Sequence, residues 1–167
     1  MSSDQIRRAN LADLTCEPRP HLPDGFKRAN NRIGAALGAT RTGLSVYELP
    51  PGQSICPYHF EDPDEEWLVV VSGTPTLRHP GGEERLAPWD SVFFPAGPEG
   101  SHTVRNDTEE LARVAMFSSV STAGAVTYPD TDIVWMWTED GAVDLVVERS
   151  SAVDALAPWT TARDGSE

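Results

Sequence analysis

The chain is short of positive charge. Lysine occurs once, at Lys27, and Lys+Arg total 13 against 26 Asp+Glu, a formal net charge of −13. Phosphate backbones and anionic lipid surfaces need clustered cations, so neither a nucleic acid nor a membrane is expected as a partner. No apolar run approaches the roughly 20 residues that a spanning helix requires. The opening residues, Met1 to Arg8, carry no apolar stretch behind their charges, so no secretory leader is expected. Two cysteines, Cys16 and Cys56, are too few for a disulfide framework, and a reducing, cytoplasmic location is the expectation. Long amphipathic helices are missing as well. With 14 prolines and 13 glycines in 167 residues, turns recur too often for them and favour many short strands.

What is present is a series of such strands. Thr42 to Leu49 alternates and stops at Pro50-Pro51-Gly52, and Trp67 to Val71 is a β-branched run closed by Ser72-Gly73. Thr76 to Arg78 leads into His79-Pro80-Gly81-Gly82, a turn from which Glu83 to Leu86 returns. Ser91 to Phe94, His102 to Asn106, Leu111 to Phe117, Ile133 to Trp137 and Val143 to Val147 complete the set. Strands punctuated every 8–12 residues or so predict an all-β sandwich or barrel. Three segments are expected: an N-terminal arm over 1–40, broken by Pro18, Pro20 and Pro23; a barrel over 41–150; and a polar tail over 151–167.

Only four histidines occur, and two stand where chemistry is plausible. In Pro57-Tyr58-His59-Phe60-Glu61, an extended backbone puts His59 and Glu61 on one face and Phe60 on the other. Two ligand-type side chains so spaced form a natural chelate. Glu66 opens the next strand and offers another oxygen donor, while His102 opens a strand after the Pro95–Ser101 loop and offers an imidazole from across the barrel. His21 and His79 read as surface groups, and Asp62, Asp64 and Glu65 as a solvated acidic loop. Cys56 falls on the face opposite His59 by strand alternation and reads as a small packed residue. Trp135 and Trp137 share a strand face and read as core or dimer interface.

These landmarks resemble the two motifs of the cupin superfamily. Its first motif runs Gly, His-x-His, Glu, Gly; here Gly52, His59-Phe60-Glu61, Glu66 and Gly73 follow in that order. Its second runs Gly, Pro-x-Gly, His, Asn; here Trp89, Pro95-Ala96-Gly97, His102 and Asn106 do. The departures are Glu61 at the second histidine position, Trp89 at a turn glycine, one extra residue after Gly52 and two before His102. Counted strictly from Gly52, Tyr58 and Phe60 would occupy the histidine positions; anchoring on Glu66 and Gly73 keeps His59 and Glu61 in them.

The resemblance implies a double-stranded β-helix, or jelly roll, of the small single-domain bacterial kind, and a divalent ion held by His59, Glu61, Glu66 and His102. Imidazole with carboxylate suits Fe, Mn, Ni or Zn without choosing among them. The expected function is a metal-dependent enzyme, a dioxygenase, isomerase or lyase, acting on a small oxygenated metabolite, with Glu61 as the catalytic base. The alternatives are a non-catalytic module binding a sugar or organic acid, and a structural dimer. A homodimer is expected from the family's habit and from an arm available for exchange.

Overall fold

The computed structural model describes residues 6–151. Thirteen strands occur among them, with one four-residue helix, α1 (Ile33–Ala36), and no longer one. Strands β1 (Glu17–Pro18), β2 (Ala29–Asn31), β3 (Thr42–Leu49), β5 (Glu66–Ser72), β8 (Ser91–Phe94) and β10 (Ala112–Ser119) form one sheet, ordered β1-β2-β3-β10-β5-β8. Strands β4 (Phe60–Asp62), β11 (Ala123–Tyr128), β12 (Ile133–Thr138) and β13 (Asp144–Glu148) form a second, ordered β13-β12-β11-β4. A third holds β6 (Thr76–His79), β7 (Gly82–Arg85) and β9 (Thr103–Arg105), ordered β7-β6-β9. Every pairing is antiparallel.

The second and third sheets share one stretch of chain. Residues 54–59 run along β9, with Ser54 opposite Arg105 and His59 opposite His102, and the chain then continues as β4 against β11. The result is the jelly roll that the resemblance implies, within the all-β sandwich or barrel that the strand spacing predicts.

Alternation along the six-stranded sheet explains where its residues go. Leu49, Leu68, Val70, Phe94, Val114 and Met116 face inward and meet Ile55, Leu77 and Val104 from the opposite layer. Val46 and Ala115 face outward and are buried by Cys16, with Leu11, Leu14 and Ala29 packed beside them. The N-terminal segment is therefore less of an arm than the sequence predicts. Its β2 pairs with β3 of the same chain, placing Ala29 opposite Glu48 and Asn31 opposite Val46. Arg113 fastens it further, pairing with Glu48 and donating to the carbonyls of Leu11 and Ala12. The prolines rule out a helix there, but they leave room for short strands that only tertiary pairing reveals. The expected tail lies, apart from residue 151, outside the described residues.

Two turn positions show how the motif residues act. Gly73 ends β5 at φ 79°, and a Cβ there would stand 2.7 Å from the Ala112 Cα. Trp89 occupies the other turn at φ 75°, the left-handed region that a glycine fills without strain. The turn forms nonetheless. Trp89 N–H donates to Val70 C=O at 2.8 Å, and Asp90 accepts from Ala87 N–H at 2.7 Å.

Candidate metal centre

Three of the four residues expected at the site converge. Glu66 begins β5 on the inward side, in phase with Leu68 and Val70. His59 and His102 are direct cross-strand partners rather than opposite one another across a barrel. His59 N–H donates to His102 C=O at 3.0 Å, and His102 N–H donates back to His59 C=O at 2.7 Å. Their rings lie 4.7 Å apart between centroids. Nε2 of His102 lies 3.5 Å and Nε2 of His59 4.0 Å from Glu66 Oε2. One ligand atom from each of the three falls within 4.8 Å of the others.

Backbone carbonyls set the tautomers. His59 Nδ1 faces the carbonyls of Pro57 and His102 at 3.1 and 3.2 Å, and His102 Nδ1 faces Gly100 C=O at 2.9 Å. Each Nδ1 must carry the proton to satisfy these acceptors, which leaves a lone pair on each Nε2. Phe94, cross-strand from Glu66, stacks on His102 with ring centroids 3.7 Å apart and fixes its plane. Tyr128 lies over His59 at 6.0 Å. Two imidazole lone pairs and the Glu66 carboxyl thus converge on one point. Such a donor set fits a divalent transition ion, and the carbonyl-held Nδ1 protons are the outer support that metal-binding histidines require.

Burial tunes the four groups. It lowers both histidines, His102 to about 3, with His59 adding to the effect on His102. It raises Glu66 to about 8, with contributions from Glu61 and Asp64, and Glu61 to about 7, with a contribution from Asp64. Glu61 lines the same cavity as His59, as alternation predicts, but stands outside the tight three-residue group.

The cavity, about 270 Å³, is also walled by residues that spacing did not single out for the site: Arg28, Arg32, Tyr47, Cys56, Tyr128 and Trp135. Cys56 corrects an expectation. Its Sγ lies 3.4 Å from His59 Nδ1, not on the opposite face, because residues 55–58 are irregular and strand parity does not apply. Burial pushes its thiol up to about 12, so it is a neutral neighbour of the imidazole. Trp135 reaches the cavity although Trp137 packs beside it at 5.3 Å. Asp64 is a second correction. It is buried, not solvated, and accepts from the hydroxyls of Ser119 and Ser121 at 2.8 Å each, tying the β4–β5 loop to the end of β10. Asp62 and Glu65 are exposed, as is His21, and His79 is half-buried in its turn. Asn106 is fully buried and structural. Its amide donates to Leu49 and Glu110 carbonyls at 2.7 Å each, and its oxygen accepts from Thr108.

The family model described as Cupin domain matches residues 45–118, the stretch that carries every one of these motif residues. Those residues form a cupin domain. Solved structures agree on the fold. A candidate sugar phosphate isomerase from Acidithiobacillus ferrooxidans is 23% identical with a TM-score of 0.77, over 86% of this chain and 91% of that chain. A sugar phosphate isomerase from Silicibacter pomeroyi is 22% identical with a TM-score of 0.74, over 89% and 97%. A polyketide cyclase from Streptomyces resistomycificus is 22% identical with a TM-score of 0.58, over 70% and 81%. No curated protein matches.

Proposed function

We propose that this chain is a divalent-metal-dependent enzyme acting on a small oxygenated metabolite, by proton transfer of the isomerase or lyase kind. The carrying observation is the convergence of His59 Nε2, His102 Nε2 and a Glu66 oxygen. A bound Fe, Mn, Ni or Zn ion would supply Lewis-acid polarisation of a substrate carbonyl. The chain supplies the rest. Glu61 lies on the cavity wall beside the three-residue group, so it is free to remove a proton from the hydroxyl-bearing carbon next to that carbonyl and return it to the carbonyl carbon, while the hydroxyl proton passes to the carbonyl oxygen. Phe94 and the backbone carbonyls hold the imidazoles in place, and the apolar walls, Ile55, Val104 and Val126, limit water. The two isomerase structures named above support the same class without fixing it.

A cytoplasmic homodimer belongs to the same proposal. Its support is a row of exposed aromatics, Phe93, Trp67 and Phe117, in register across the outer face of β8, β5 and β10 beyond the reach of the N-terminal segment.

The test is hydrogen exchange on carbon. Metal-loaded protein in D2O is incubated with short hydroxy-aldehydes and hydroxy-ketones, and deuterium incorporation is read by NMR. Catalysed exchange is expected, falling at least about 100-fold in Glu61→Gln with metal content retained. Full metal occupancy with no exchange would leave the non-catalytic binding module as the better reading, and unchanged exchange in Glu61→Gln would remove Glu61 as the base.

A further inference from the structure

Arg28 and Arg32 flank β2, and period-two alternation puts both on the side of Asn30, while Ala29 packs outward beneath the N-terminal segment. Both guanidinium-bearing residues line the cavity of the histidine–glutamate group and, with Asn30, the opening next to it. In a chain with 26 acidic residues these two are conspicuous. Arg78, Arg105 and Arg113 each hold a carboxylate partner, whereas neither Arg28 nor Arg32 has one within 4.0 Å among the described residues. Arg28 Nε is buried without a hydrogen-bond acceptor, the single side-chain atom so placed among the described residues. Its guanidinium lies over the Tyr47 ring, 5.3 Å from the centroid, and both residues line the cavity. A buried cationic donor without an acceptor carries a desolvation cost that an anionic ligand removes.

We propose that Arg28 and Arg32 form an anion subsite, so that the substrate of this chain is a small metabolite with a phosphate ester or a carboxylate at the end remote from its reacting carbonyl. This deepens the reading above by giving the cavity two ends. The His59, Glu66 and His102 group takes the oxygenated carbons, and the two arginines take the terminal anion. A guanidinium fork serves either oxyanion, because both present paired oxygens to paired N–H donors. The overall negative charge does not oppose this, since the field inside the cavity is set by its nearest unpaired groups.

Calorimetric titration tests it, with inorganic phosphate, glycerol 3-phosphate and acetate as probes on the full chain. Wild type is expected to bind at least one of them. Arg28→Gln and Arg32→Gln should each weaken that binding at least about tenfold, while Arg85→Gln, which removes an equal charge elsewhere, leaves it unchanged. Arg28→Lys and Arg32→Lys keep the charge but not the fork; intermediate affinity is expected, and these variants serve if a glutamine variant does not fold. Preference for the phosphate probes assigns the subsite to a phosphate ester, and preference for acetate to a carboxylate. The double variant His59→Ala/His102→Ala should lose metal yet keep anion binding, so failure of the metal reading shows separately. Equal affinity in wild type and the Arg28 and Arg32 variants, or no binding of any of the three probes by wild type, would overturn the subsite.

Discussion

Glu66 and Glu61 are largely buried carboxyls near each other and Asp64, and their pKa values, raised first by burial, make the metal-free protein sensitive to pH. Below pH 6.5 or so the lowered histidines and the raised glutamates act in opposite directions. Above it the histidines are neutral in both the folded and the unfolded chain, so the carboxyls alone decide. The folded state then binds more protons than the unfolded one, because Glu66 titrates at about 8 and Glu61 at about 7 rather than at 4.5. Stability must therefore fall as pH rises from 6.5 to 8. Thermal melts of chelator-treated protein should show this fall, and Glu66→Gln should remove most of it; a melting temperature that is flat or rises over this window would contradict the assignment. Metal affinity should climb over the same window, since binding displaces the glutamate proton. His59, Glu66 and His102 were legible in the sequence because a hydrogen-bonded strand pair fixes their spacing. Cys56, Arg28 and Arg32 were not: the first lies in irregular backbone, and the arginines reach the cavity only through the pairing of β2 with β3.

At the scale of elements, the turns that frame the site carry strain of opposite kinds. Gly73→Ala should cost about 2 kcal/mol or more, since it meets both a positive φ and the Ala112 backbone. Trp89→Gly should do the reverse and raise the melting temperature, because Trp89 is 75% exposed and loses little packing while its backbone strain is relieved. Denaturant unfolding of both variants checks the pair, and a destabilised Trp89→Gly would show that the indole contributes more than exposure indicates. Asn106→Ala should cost about 2 kcal/mol by removing the buried donor to the Leu49 carbonyl and the bonds that tie Glu110 and Thr108 to it. Strands β3, β5, β6 and β8 to β10 were readable from alternation and turn residues. Strand β11, Ala123 to Tyr128, escaped because its small residues make no apolar pattern and it exists by pairing with both β4 and β12.

For the whole molecule, the outer face of the large sheet is divided. One part is covered by the N-terminal segment, which Arg113 fastens, and the other exposes Trp67, Phe93 and Phe117. Arg113→Ala should speed hydrogen exchange in the segment around Leu11 to Cys16 without altering metal content. Light scattering should give about twice the 18.2 kDa chain mass if the aromatic row is a dimer contact; a monomer at high concentration would remove the dimer. The direct measurement on the central claim is elemental analysis of untagged protein, never exposed to chelator, beside His59→Ala/His102→Ala. Near-stoichiometric Fe, Mn, Ni or Zn in wild type and its loss in the double variant are expected. Absence of metal from both, with melting temperatures unmoved by added Fe(II), Mn(II), Ni(II) or Zn(II), would contradict a metal centre in this cupin domain.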